Sequence, residues 1–551
     1  MTAPSYTEDL TDLTLSEEGS GWAESSDTAW DDQGPPAYQD QDYAYIQGSY
    51  SVTADTTKTG VGTLLWDYGS TFTVPTDGAM LIWINFYNPN ALDTLANGGL
   101  RAIIGSADNT FWSWDVGGSD YGSYPYGGWQ CFAVNDTVSA DDTVNSYAGG
   151  SHQFVGCGVK VLTGIGKGES LQVDAIRVGR CSSIFEYGET ADYATIAGYA
   201  AVNDATSARW GLIQAVAGGY LWKGRMQLGT STNAVDFRDS DALIFIQDTR
   251  KVTANFNTIE VVNGSSNVEM TGFQFICLDP TNTASKGRWI TTNDATVSLD
   301  ACTFVDMSTF TFDSNTDAID CVWRRCAQID VGGGDISGAF VDSSTVTGGG
   351  SAGGGAVLWN DSGDPDTSMD GASFTKGAGS HHAVEFGTSA PLTINLTNMT
   401  FTDFSASNQQ TTSAIYLPDK GSDQTWSIGH SGTTGTLSYY QARVGDTVNV
   451  VSNVPVTMAC VDADNDPVQD VQCSVWKSSD GTQIMNEDSQ AVTGIATENF
   501  NYPGTEVEIY WRARKSDDLD SPRYKAASGT GVIDSGGFSV TVTMLEQPLP
   551  I

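Results

Sequence analysis

The chain has 551 residues, 67 acidic against 25 basic, and a formal net charge of −42. That balance excludes nucleic acid and anionic membrane surfaces as expected partners, because both need clustered Lys and Arg. With 61 Gly, and with short Val/Ile/Thr/Phe/Tyr/Trp-rich segments set between Gly/Asn/Asp/Ser clusters, the chain is predicted to be all-β.

Residues 1–40 ("SSDTAWDDQGPPAYQDQD" among them) are polar, acidic and turn-rich, and read as an extended arm ordered by a neighbour. Trp22 and Trp30 are its expected anchors. The opening "MTAPSYTEDLTDLTLSEEGS" has neither a basic n-region nor an apolar h-region, so synthesis without export is expected. Residues 41–185 carry aromatic strands such as "TLLWDYGSTFTV", "AMLIWINFY" and "GGWQCFAV", and predict a jelly-roll or lectin-like sandwich. "AMLIWINF" is strand-sized, too short to span a membrane, and no membrane insertion is expected. In the loop "YGSYPYGGW", Tyr121, Tyr124, Tyr126 and Trp129 are candidates for glycan or subunit contact, set against a plain core-filling role.

Residues 186–440 repeat a phrase. "EMTGFQF" ends at Phe275, "SLDACTF" at Phe304, "DAIDCVW" at Trp323, "GDISGAF" at Phe340, "SMDGASF" at Phe374 and "NLTNMTF" at Phe401, 17 to 34 residues apart. A drifting period of this kind predicts a right-handed parallel β-helix, with these six aromatics stacked as an internal ladder. In the last copy Leu396 and Phe401 are expected to face inward, and Thr397 and Thr400 outward. Residues 441–551, with strands about ten residues apart broken by Asp-Asn-Asp-Pro and Asp-Gly, predict an immunoglobulin- or transthyretin-like sandwich.

Chemistry-bearing patterns are sparse. The four histidines, His152, His381, His382 and His430, assemble no local Ser/His/Asp arrangement, and "SHH" reads as a loop pair. Nine cysteines form no C-x-x-C pair; most are expected to be buried and apolar in behaviour, with Cys460 and Cys473 flanking a turn as cross-strand neighbours. Asp361, Asp364, Asp366 and Asp370, near Glu385, are the carboxylates a polysaccharide-cleaving β-helix would use, but in so acidic a chain such clusters arise without chemistry. Asp462, Asp464 and Asp466 alternate oxygen ligands and are candidates for a structural Ca²⁺ or Mg²⁺, against a plain hairpin turn. No catalytic residue and no other cofactor is expected. Sequons stand at Asn135, Asn263, Asn360, Asn395 and Asn398.

The phrase order "DYAYIQGSYSV…GGWQCFAV…VDAIRVGR…VDFRDSDALIFIQDTRKV…SKGRWITTNDATVSLDACTFVDMSTFTF…AVEFG" resembles β-helical virion proteins of tailed viruses across most of residues 41–440. The likeness is to marine phages; the Asp-rich, Lys-poor composition resembles proteins of extreme halophiles, set against a calcium-rich or marine extracellular protein, and points to a haloarchaeal virus. What the resemblance implies is a non-enzymatic structural or adsorption protein on the particle surface, a capsid turret, decoration or tail fibre. It would be made in the host cytoplasm, bound to other virion proteins, homo-oligomeric (trimer or pentamer) and in contact with the host surface or its glycans. A depolymerase tailspike and a secreted adhesin are the alternatives.

Overall fold

A computed structural model describes residues 5–13, 22–24, 39–41, 46, 51–54, 62–86, 100–107, 110–116, 128–144, 153–161, 171–186, 193–205, 211–247, 251–279, 286–292, 294–342, 354–377, 382–502, 506–515, 524–534 and 536–547. The regular structure among these residues is nearly all strand, with one helix, Ile196–Ala205. The chain divides into two compact units, Met1–Leu358 with Gly377–Gly379, and Trp359–Lys376 with Ser380–Ile551.

The first unit begins with two antiparallel sheets sharing one core. Met80, Ile82, Ile84, Val173 and Val178 from one sheet meet Leu100, Ala102, Ile104, Trp114, Phe154 and Val159 from the other. The strand Ala79–Phe86 is apolar without alternation because it is buried on both faces. Its other set, Ala79, Leu81 and Trp83, packs with Cys131, Cys181, Leu212, Val252 and Phe256.

Residues 5–13 differ from the extended, neighbour-ordered arm expected for 1–40. Ser5–Glu8 pairs antiparallel with Ser182–Glu186, Thr11–Asp12 pairs with Leu171–Gly179, and Leu13 is buried. Glu8 accepts hydrogen bonds from Tyr199 Oη at 2.7 Å and from the Leu212 amide at 2.9 Å, and it meets Arg177 at 3.4 Å. These bonds tie the segment into its own unit.

From Ser182 onward parallel pairing takes over, apart from the antiparallel pair Ile213–Val216 with Gly219–Trp222. Three strands recur in a fixed order. Arg225–Leu228, Thr258–Val261, Arg288–Thr291, Phe310–Thr311 and Ile329–Asp330 form one parallel ladder. Asp236–Ser240, Asn267–Thr271, Thr296–Asp300 and Thr316–Ile319 form a second. Leu243–Ile246, Gln274–Cys277, Thr303–Val305, Val322–Arg324 and Phe340–Asp342 form a third.

Between the second and third strands of each repeat a single residue takes positive φ: Asp241 (57°), Gly272 (68°), Ala301 (50°) and Asp320 (53°); Gly338 (68°) takes the same place after the single bridge of Asp335 to Asp317. Each of the first four donates its amide to the following repeat: Asp241 to Thr271 O, Gly272 to Asp300 O, Ala301 to Ile319 O and Asp320 to Ser337 O. The corner satisfies a backbone donor that a tight bend would otherwise strand. It also explains the recurring phrase, which is strand, left-handed corner, strand.

Counting from the corner, the next residue is buried, the second faces outward and the third is buried. Phe275, Phe304 and Trp323 are third residues and stack at 5.4 Å and 5.5 Å with planes 7° and 19° apart. Phe340 is a second residue. It pairs with Val322, while Val341 pairs with Trp323 and is 2% exposed. The expected ladder is therefore corrected there by one position: the inward residue is Val341, and Phe340 is half-buried on the outer face.

The second unit uses the same order. Ser373–Thr375 pairs parallel with Thr400–Thr402, and Phe374 stacks on Phe401 at 5.8 Å. Leu396 and Phe401 are buried, and Thr397 and Thr400 are partly exposed. His382–Phe386, Ile415–Leu417 and Tyr439–Gln441 form a second ladder, and Thr393–Thr397 and Thr425–Ser431 a third. The strand Thr447–Val461 joins two architectures. Its first half runs parallel to Thr425–Ser431, and its second half pairs antiparallel with Ile495–Tyr502 and parallel with Phe538–Thr543. Parallel pairing thus runs past the boundary expected at 440/441, and the two architectures meet within Thr447–Val461 instead. Beyond it, two sheets share a core of Val456, Met458, Cys460, Cys473, Val475, Ile509 and Val542.

Candidate functional site

The acidic insertion of the second unit is the first candidate. Asp364 accepts from the Asn395 backbone amide at 2.9 Å and from its side-chain amide, Asp366 accepts from Thr397 Oγ1, and Asp370 accepts from Asn398 Nδ2 at 2.9 Å. Asp361 accepts from the Gly363 amide at 2.6 Å within its own turn. Three carboxylates therefore fasten residues 361–370 along Thr393–Thr397, the outermost strand of its sheet. Covering an open strand edge in this way blocks edge-to-edge pairing. Glu385 is also engaged in interactions of its own. The group reads as edge protection, and its acids are held by donors instead of facing each other across a cleft.

The Asp462 turn is built similarly. Asp462 Oδ1 accepts from the amides of Asp464 and Asp466, both at 2.9 Å, and the Asp462 amide donates to Asp466 O. Its oxygen faces backbone donors, the arrangement of an Asx turn. Among the described residues no group of three or more His, Cys, Asp or Glu is placed to hold a metal ion. No described helix is long and apolar enough to cross a membrane.

Of the aromatic candidates, Tyr121, Tyr124, Tyr126 and Trp30 lie outside the described residues. Trp129 sits on Gly128–Val134 opposite Asn85, half-buried against the cluster that contains Trp83. Trp22 lies on Trp22–Glu24, paired with Trp66. Asn135 is buried, and its side-chain amide donates to Pro75 O at 2.9 Å and Gly78 O at 2.6 Å, which closes this sequon to glycan attachment.

His382 is not a loop residue. It lies in His382–Phe386, fully buried, with Nδ1 2.6 Å from Ser413 O and Nε2 2.8 Å from Gln410 O. Burial pushes its pKa down, opposed by the two carbonyls. It stacks on Tyr440 and packs against Tyr416, a structural placement.

One partly exposed aromatic pair escaped the sequence reading. Trp476 and Tyr510 are cross-strand neighbours on Gln472–Lys477 and Val507–Arg514, stacked at 5.1 Å with planes 15° apart. Tyr510 is 41% exposed, and exposed Arg512 lies two residues on. Arg514 donates to Gln472 at 2.6 Å. The signal was the alternation of "VEIYWRAR", which sends Tyr510, Arg512 and Arg514 to one face.

The fold and these surfaces define a β-rich chain organised by stacked parallel strands. No family model, curated protein or solved structure matches it.

Proposed function

We propose that the chain is a structural protein on the surface of a tailed-virus particle, a capsid turret, decoration or tail fibre involved in host attachment. On this reading the stacked ladders are turns of a right-handed parallel β-helix. The paired antiparallel sheets before them are a jelly-roll-like sandwich, and those after them an immunoglobulin-like one. The observation that carries it is the repeat itself. Each turn spends its inward positions on stacked rings and aliphatic side chains, and its corner amides on the next turn, so the sequence is invested in a rigid support. Such a support tolerates long loops and needs no cofactor. The carboxylates that would serve a depolymerase are spent on clamping an edge, which favours adsorption over cleavage. The Trp476–Tyr510 pair offers a surface for a sugar face or a neighbouring subunit.

The test is immunogold labelling of purified particles with antibodies raised against this chain. Regular labelling of capsid or tail supports the reading; its absence from particles in cells that make the chain overturns it. Incubation with host polysaccharide decides the alternative: reducing ends released by the wild type and lost in Asp364→Asn would establish a depolymerase.

A further inference from the structure

All nine cysteines are described as free thiols and all are buried. Several have backbone partners. Cys302 donates to Met270 O at 3.3 Å, Cys321 to Leu299 O at 3.5 Å and Cys326 to Phe304 O at 3.4 Å, while Cys277 accepts from the Gly287 amide at 3.4 Å. Cys302 and Cys321 also interact with each other beside these carbonyls, whereas Cys460 and Cys473 face each other with their Sγ atoms 3.5 Å apart. That is sulfur-to-sulfur contact, within reach of the roughly 2.05 Å of a disulfide after a small side-chain rotation.

The two residues are thirteen apart in sequence but belong to different sheets. Cys460 lies on Thr447–Val461, which pairs with Ile495–Tyr502 and Phe538–Thr543. Cys473 lies on Gln472–Lys477, between Gln483–Asp488 and Val507–Arg514. Both backbones are fixed. The Cys460 amide donates to Gly494 O and its carbonyl accepts from Val468, and Cys473 is paired on both sides, with Glu487 and with Ala513.

We propose that Cys460 and Cys473 are a built dithiol site that closes to an intrachain disulfide, stapling the two C-terminal sheets, when the protein meets a small-molecule disulfide oxidant. One thiolate of the pair attacks one sulfur of the oxidant and expels one thiolate. The other cysteine then gives up its proton and attacks its partner's sulfur, expelling the second thiolate. Two protein S–H bonds and one oxidant S–S bond are exchanged for one protein S–S bond and two small thiols. The sulfur-to-sulfur contact favours a two-step exchange: whichever thiol donates lowers the pKa of its partner, so one sulfur attacks and the other resolves. The staple would form only after the chain leaves a reducing compartment. The chemistry stands whether or not the particle role is right.

The full chain, purified under reductant, is exchanged into hydroxyethyl disulfide and mapped by non-reducing peptide mass spectrometry. The expected result is loss of two hydrogens from the intact mass, a single Cys460–Cys473 linked peptide, and seven remaining thiols of the nine. Closure should raise the unfolding temperature of the C-terminal region by about 5 °C. A Cys460→Ala, Cys473→Ala double variant should show no oxidant-dependent shift. The peptide map on the wild type decides the matter even if that variant folds poorly. Nine thiols persisting in native protein, while a urea-unfolded control cross-links, overturns the proposal. So does linkage through Cys302–Cys321, or a mixed adduct left unresolved on either cysteine.

Discussion

The third residue after each left-handed corner carries the packing energy of the repeats. Phe304 has Phe275 on one side and Trp323 on the other, and Phe310 edge-on at 5.0 Å. Phe304→Ala removes a ring that no neighbour can replace, and should cost roughly 3–5 kcal/mol in urea unfolding. Phe340→Ala, one position out of the ladder, should cost about 1 kcal/mol or less. Equal costs at the two positions would refute the register. The corner itself is equally specific. Gly338 has φ +68°, and a Cβ there would meet the Asp320 carboxylate. Gly338→Ala should therefore destabilise by about 1–3 kcal/mol, whereas Asp320→Gly should be tolerated. Both are read from the urea midpoint.

At the scale of elements, Lys223 exposes what holds the first unit together. It follows Gly219–Trp222 and is 2% exposed, with Nζ 3.9 Å above the Trp83 ring and the Cys131 thiol beside it. Burial pushes its pKa down. A lysine whose folded pKa is depressed binds its proton more weakly folded than unfolded, so it costs stability below the unfolded value of about 10.4. That cost is complete below the folded pKa and fades as pH rises from there to the unfolded value. Lys223→Met should therefore raise the unfolding midpoint at pH 7, with the gain shrinking toward pH 10.5; a gain independent of pH would point to packing alone.

Lys223 was invisible in the sequence because nothing local marks "YLWKGRM" as a meeting point of sheet and repeat. The repeats were legible, since tube-like stacking imposes a phrase on each copy. Their phase was readable at five of six aromatics and failed at Phe340, where aromatic identity competed with distance from the corner. Residues 5–13 misled because polar composition says nothing of a carboxylate such as Glu8 satisfied by Tyr199 and Leu212. The acids at 364, 366 and 370 were expected to carry no chemistry, but their clamping role was illegible for the same reason, because their partners lie some thirty residues on.

For the whole molecule the governing quantity is charge. Arg101–Asp115, Arg225–Glu260, Arg325–Asp306 and Arg443–Asp423 show basic side chains already committed to carboxylates. Even if all 25 basic residues were paired, 42 acids would remain in excess. Their mutual repulsion acts over a Debye length of about 10 Å at 0.1 M salt and about 3 Å at 1 M. Unfolding separates those charges, so repulsion weighs on the compact state most in dilute buffer. Thermal unfolding should therefore shift upward by on the order of 5 °C or more between 0.05 M and 1 M KCl. Sucrose at matched osmolality should not reproduce the whole shift if screening is the cause. Interior groups should contribute little to it, because Phe275, Phe304 and Trp323 do not sense ionic strength. Equal unfolding temperatures in dilute buffer and molar salt would show that the carboxylates are spaced widely enough to be harmless, and would remove the support that composition gives to a halophilic source.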